Sequence, residues 1–176
     1  MFVPLHDSTP LKVIRFQAVT LAIIILNVLA YLATGAFTSE AVLTAFAMGW
    51  GVVPGELTHL APVALGYDPV IEPATLVTYQ FLHAGWWHLL SNMLFLFVFA
   101  DNVEDAYGHA SFAFLYVTAG VVAALVYVIL APRSDMPLVG ASGAVSGVLG
   151  AYAVLFPKAR VWILLFLKLP IPIGAV

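Results

Sequence analysis

The chain of 176 residues is long enough for one domain, but 63% of its residues are apolar and only 9% are charged. This composition lies outside the range of soluble domains and excludes a soluble globular fold. The net charge of −3 is small and its residues are dispersed, so no nucleic-acid partner is predicted, and the lack of cysteine excludes disulfides, thiolate metal sites and a cysteine nucleophile.

The apolar stretches predict an all-α polytopic membrane protein, with an N-terminal cytoplasmic tail at 1–12 and a membrane core at 13–176. A bilayer core about 30 Å thick needs about 20 mostly apolar helical residues. Five stretches meet or approach that length: about 16–33, 86–100, 112–131, 138–156 and 161–176. Prolines interrupt the fifth stretch, so we predict that it is an incomplete span.

Positive charges predict the orientation, because they concentrate in cytoplasmic loops. With the N-terminus inside, four of the six lie on the cytoplasmic side: Lys12, Arg15, Lys158 and Arg160. Arg133 falls outside, and the depth of Lys168 is ambiguous. The first stretch could be a signal peptide, but it exceeds the usual apolar core of about 7–15 residues, which favours an uncleaved anchor. The location predicted is a bacterial-type plasma membrane.

The long apolar loop at 34–85 is predicted to lie outside and to pack against the membrane. Its segment at 41–50, AVLTAFAMGW, could form an amphipathic helix in the membrane interface.

The second span contains two polar residues that would be costly in lipid without a partner. His88 and Asn92 are four positions apart, so both side chains project from one face of a helix. They could point at one ligand atom, or they could hydrogen-bond to neighbouring backbone or helices in a purely structural role. His83, five residues earlier, is predicted to be a supporting residue rather than a catalytic one.

The fourth span places Ser142 between Gly140 and Gly143 at the outer end of a helix. Free backbone N–H groups and the helix dipole at that end would favour an oxyanion beside the serine. The alternative is structural, since membrane serines often bond back to the carbonyl four residues earlier. Small residues at Gly143, Gly147 and Ala151 would also bring a neighbouring helix close.

These residues carry a resemblance to the rhomboid family of intramembrane serine proteases. The segment from Gly140 to Gly143 resembles the family's GxSG motif, and His88 to Asn92, preceded by His83, resembles its HxxxN segment. The acidic stretch from Asp101 to Gly108 is similar to the turn after the second rhomboid helix, and the loop at 34–85 to the family's first loop. The resemblance covers about residues 75–160 well.

The resemblance implies hydrolysis of peptide bonds in membrane-spanning substrates by a Ser–His dyad, without a cofactor or metal. Ser142 would be the nucleophile, and its backbone N–H, with His88 and Asn92, would hold the oxyanion. His83, Gly140, Gly143 and Ser146 would support the site. Ser146 stands where the family has a tyrosine, which leaves open what packs against the dyad histidine.

The base histidine expected on the family's last core helix is missing, because no histidine follows His109. His109 is predicted on the cytoplasmic side, His6 in the tail and His59 in the outer loop, so none suits the role. We expect that the 176 residues are a truncated part of a longer enzyme with a sixth span, and that they are inactive alone. The alternative is a non-catalytic pseudoprotease that binds client transmembrane helices.

A third possibility, a small channel or transporter, is disfavoured because no span carries a relay of Asp, Glu or Arg.

Overall fold

The computed structural model describes residues 2–7, 9–36, 38–60, 69–165 and 169–174, and it is mainly helical. The helices are α1 (Ala18–Thr34), α2 (Glu40–Trp50), α3 (Pro54–Thr58), α4 (Glu72–Thr78), a 3-10 turn (Tyr79–Phe81), α5 (Trp86–Tyr107), α6 (His109–Leu130) and α7 (Ser142–Leu155). The strands are β1 (Phe2–Asp7), β2 (Arg160–Leu165) and β3 (Leu169–Gly174).

Helices α1, α5, α6 and α7 occupy the first four predicted spans and form the core. Helix α7 packs against both α5 and α6, and α1 packs against α5. Aromatic and aliphatic side chains such as Leu96, Phe112, Tyr116 and Tyr152 are almost completely buried between them. By length and composition, α6 is the one described helix that could cross a membrane alone. The helical segment Glu72–Phe81 and α5 are bent by 82° relative to each other at a short break. Taken together as one broken span, they are long and apolar enough to be a second membrane crossing.

Two helix boundaries differ from the prediction. Helix α7 begins at Ser142 rather than at residue 138, because Leu138 pairs with Val52 in an antiparallel bridge and Gly140 has a φ of +118°. Neither backbone conformation continues a right-handed helix. Helix α5 runs on past residue 100 to Tyr107, so the acidic stretch lies in its last turns.

The strands β2 and β3 occupy positions where a fifth helical span, 161–176, was predicted, and that part of the prediction is wrong. Proline interrupts a helix, whereas an edge strand tolerates it. Strand β3, with Pro170 and Pro172, is an edge of the antiparallel sheet of order β1-β2-β3. The predicted N-terminal tail contributes β1, which pairs with β2. The rest of the predicted fifth span lies outside the described residues.

The loop at 34–85 contains helix α2, where an amphipathic helix was predicted, and is tied to the segment that leads into α7. The backbone N–H groups of Val52 and Leu138 donate to each other's carbonyl oxygens at 3.1 and 2.8 Å. Gly55 N–H donates to the Ser134 carbonyl at 2.9 Å, and the Thr58 hydroxyl to the Pro132 carbonyl at 2.5 Å. These bonds fix the loop against the approach to Ser142.

Two adjacent carboxylates at the end of α5 hold the N-terminal part of the chain. Asp105 accepts hydrogen bonds from three successive backbone N–H groups, those of residues 12–14. Glu104, completely buried, accepts from the backbone N–H groups of Val19 and Thr20 and from the Thr20 hydroxyl. It also contacts His109 Nδ1. Glu104 thereby satisfies free N–H groups in the first turn of α1.

The predicted small-residue packing is confirmed at two glycines of α7. A Cβ atom added at Gly147 would lie 2.3 Å from the Cβ of Ala119, and one at Gly143 would lie 2.5 Å from the Cβ of Ala123. Both alanines belong to α6, so α6 and α7 approach more closely than any larger side chain would allow.

We expect Gly147→Ala to destabilise the fold and Gly150→Ala to leave it intact or improve it. A Cβ at Gly150 meets no atom within 4 Å, so that variant gains only helix propensity, about 0.5–1 kcal/mol. Overpacking at Gly147 should instead lower the free energy of unfolding by about 1–3 kcal/mol. Thermal unfolding of both variants in the same detergent measures the difference. Equal effects would contradict close packing at Gly147.

Candidate active site

Ser142 is the first residue of α7 and its side chain is exposed. The backbone N–H groups of a first helical turn have no acceptor within the helix, and the helix dipole makes that end attractive to negative charge. One turn later, the Ser146 hydroxyl donates to the Ser142 carbonyl at 2.8 Å. The two serines therefore differ: Ser146 is used within the helix, whereas Ser142 presents its hydroxyl at the helix end.

Gly140 brings the Ser142 segment against His88. Its φ of +118° belongs to the region that side-chain-bearing residues rarely adopt. A Cβ atom there would lie 2.6 Å from both Cε1 and Nε2 of the His88 ring. The Gly140 N–H donates to the Tyr79 carbonyl at 2.9 Å. Only glycine meets both requirements, the backbone angle and the room for the imidazole.

The three polar residues predicted around the second span come together. Asn92 Nδ2 lies 3.0 Å from His83 Nε2, and both side chains are buried. The rings of His83 and His88 meet edge to face, with centroids 5.0 Å apart. His83 thus contacts both residues predicted to act on one ligand atom, and it orients the amide of Asn92.

Tyr79 is a site-supporting residue that sequence reasoning missed. Its buried hydroxyl donates to the Gly120 carbonyl of α6 at 2.7 Å, and its carbonyl accepts from Gly140. A Cβ at Gly143 would lie 2.9 Å from that hydroxyl oxygen. Tyr79 therefore links the 3-10 turn that precedes α5 to α6 and to the serine segment. The sequence held no signal for this role, because the carbonyl that Tyr79 binds is a backbone group that every residue has.

The other histidines lie elsewhere. His109 Nδ1 contacts Glu104 at the junction of α5 and α6. His59, exposed, lies 3.9 Å from Glu72 across an Nε2–Oε2 pair. His6 is in β1. Among the described residues no group of three His, Asp or Glu side chains is arranged to hold a metal ion.

Comparison with known proteins gives the family. A family model described as "Rhomboid domain" matches residues 71–176, which contain every predicted site residue. No solved structure matches significantly.

Three curated proteins show the range of relatives. The chain is 37% identical over 112 residues to "Rhomboid protein 1, mitochondrial" of Saccharomyces cerevisiae, covering 61% of this chain and 32% of that protein. It is 43% identical over 86 residues to "Rhomboid-like protein 11, chloroplastic" of Arabidopsis thaliana, covering 49% of this chain and 30% of that protein. It is 38% identical over 76 residues to "Rhomboid protease GluP" of Bacillus subtilis, covering 43% of this chain and 14% of that protein. The matched part thus spans at most about a third of these relatives' length.

Proposed function

Because this chain belongs to the rhomboid family of integral membrane proteins, we propose that it acts as an intramembrane serine endopeptidase with Ser142 as nucleophile. The proposal rests on one observation: an exposed serine begins a helix, and the glycine two residues earlier holds its segment against His88. The substrates would be membrane-spanning proteins cleaved within or beside the bilayer.

In the proposed reaction, Ser142 Oγ attacks the scissile carbonyl and the carbonyl oxygen becomes an oxyanion. The Ser142 N–H, the His88 ring and the Asn92 amide donate to that oxyanion, with His83 holding the amide in place. Such prearranged donors are worth about 10²–10³ in rate each. The histidine that acts as general base takes the Ser142 hydroxyl proton during the attack and gives it to the leaving amine when the intermediate collapses. Water, deprotonated by the same base, then hydrolyses the acyl-enzyme.

The general base would be a histidine outside these 176 residues, on a helix packed against the exposed side of α7. That side carries Ser142, Ser146 and Gly150, which are exposed, and a Cβ at Gly150 meets no atom within 4 Å. The small residues leave room for a closely packed helix.

The test is covalent labelling of the full-length protein, which includes the helix proposed to carry the base, in membranes with a fluorophosphonate probe, followed by mass spectrometry of the modified peptide. We expect the label on Ser142 and none on Ser146, whose hydroxyl is bonded to a backbone carbonyl. Heat-unfolded protein should not react, because activation depends on the assembled site. Labelling of both serines, or of neither in protein that is folded, would contradict the proposal.

A second function, non-catalytic binding of client transmembrane helices, is favoured by one observation. The described histidines other than His83 and His88 lie away from Ser142, and those two contact each other, with His83 also paired with Asn92. If the protein acts as such a non-catalytic binder, Ser142→Ala would leave its function in cells unchanged.

A further inference from the structure

A cavity of about 830 Å³ lies beside the candidate active site, between α2, α3 and the segment that leads to Gly140. His83 lines it, and the His83 ring contacts that of His88. Val139, the residue before Gly140, lines it as well. A polypeptide whose scissile bond lies at Ser142 would therefore have neighbouring residues within reach of this cavity.

The lining of the cavity combines apolar side chains with carboxylates. Leu43, Phe46 and Met48 of α2 provide apolar surface. Three acidic residues join them: Glu40, Glu56 and Asp135. No lysine or arginine is among the described residues that line it. We call this cavity the acidic cleft.

The walls of the acidic cleft are fixed relative to the serine. The bridge between Val52 and Leu138 joins the α2 side to the segment of Ser142. A Cβ at Gly51 would lie 2.3 Å from the Ala47 carbonyl oxygen and 2.9 Å from that of Leu138, so the two walls are in close contact. A side chain bound in the cleft would thus help to place the scissile bond, which is how binding energy away from the reacting atoms contributes to rate.

We propose that the acidic cleft is a specificity site that binds the substrate segment next to the scissile bond and selects an apolar side chain adjacent to a lysine or arginine. The inference rests on the proposed protease function. Concave sites with mostly apolar walls and a few placed polar groups are typical of ligand recognition. Carboxylates on Glu40 and Asp135, both exposed, provide the electrostatic complement to a basic side chain and disfavour an acidic one.

Binding can be measured without catalysis. The full chain carrying Ser142→Ala, in lipid nanodiscs, is titrated with fluorescent single-span peptides that differ only in Lys, Gln or Glu beside the expected cleavage position. We expect the Lys peptide to bind about tenfold more tightly than the Glu peptide, with the Gln peptide between them. Adding Glu40→Lys should reverse that order. Equal binding of the three peptides, or no binding of any, would overturn the proposal.

Glu72→Lys is the matched control, because Glu72 faces His59 and does not line the acidic cleft. It should leave the preference for the Lys peptide unchanged. If Glu72→Lys reverses the order as Glu40→Lys does, the preference reflects general surface charge and the acidic cleft is not the site.

Cleavage of the same peptides by the full-length protein, with Ser142 intact and the proposed base helix present, separates the two proposals. Cleavage of all three peptides at equal kcat/KM supports the protease function and overturns the proposal that the acidic cleft is a specificity site. Selective binding of the Lys peptide without any cleavage supports the cleft and overturns the protease function.

Discussion

Ser142→Ala is expected to lower the rate of substrate cleavage by about 10⁴-fold or more, because the variant has no nucleophile and retains only the oxyanion donors. The fold should not change. Ser142 is exposed, and its hydroxyl makes no hydrogen bond within the described part of the chain. Initial rates with a single-span substrate in membranes measure the loss, and thermal unfolding should give the same midpoint for both proteins.

Ser146→Ala is the matched control for this prediction. It removes an exposed hydroxyl one turn away on the same helix, together with its bond to the Ser142 carbonyl. We expect cleavage within about tenfold of the unmodified rate, since a serine bonded to the i−4 carbonyl contributes little to helix stability. If both variants lose activity alike, the effect comes from the helix end and not from a nucleophile at Ser142.

Glu104→Gln is expected to lower the free energy of unfolding by about 3–5 kcal/mol. The completely buried carboxylate accepts from Val19 N–H at 3.0 Å, Thr20 N–H at 2.8 Å and the Thr20 hydroxyl at 2.6 Å. An amide has only one accepting oxygen, so its NH₂ group would face donors. Denaturant titration in detergent measures the change.

Two controls separate this network from charge alone. Thr20→Val removes one of the hydrogen bonds to Glu104 and should cost about 1 kcal/mol. Glu72→Gln removes a partly exposed carboxylate at the start of α4 and should cost less than about 0.5 kcal/mol. A small effect of Glu104→Gln, close to that of Glu72→Gln, would show that Glu104 does not hold α1 to α5.

Local sequence patterns predicted much of the helical core. The four apolar stretches that form α1, α5, α6 and α7 could be predicted, because the hydropathy of a segment depends only on its own residues. The same holds for the motif residues: the spacing of His88 and Asn92 on one helix is a local property. The boundary of α7 was wrong, since Leu138 is held by Val52, which is 86 residues away and invisible to any local pattern.

The fifth span shows the limit of hydropathy. An apolar segment can be a helix or a strand, and composition alone does not distinguish them. Pro170 and Pro172 were interpreted as an interruption of a helix, whereas the structure pairs this segment in an edge strand.

The sequence by itself determined that this is a membrane protein, that its core is helical, and that Ser142, His88 and Asn92 are the candidates for chemistry. Tertiary structure alone decided three further points: His83 contacts Asn92, Gly140 makes room for His88, and Glu104 holds the start of α1. The physical reason is the distance along the chain over which each kind of interaction acts. Hydropathy and helical spacing act over a few residues, but hydrogen bonds and close contacts join residues from distant parts of the chain once it has folded.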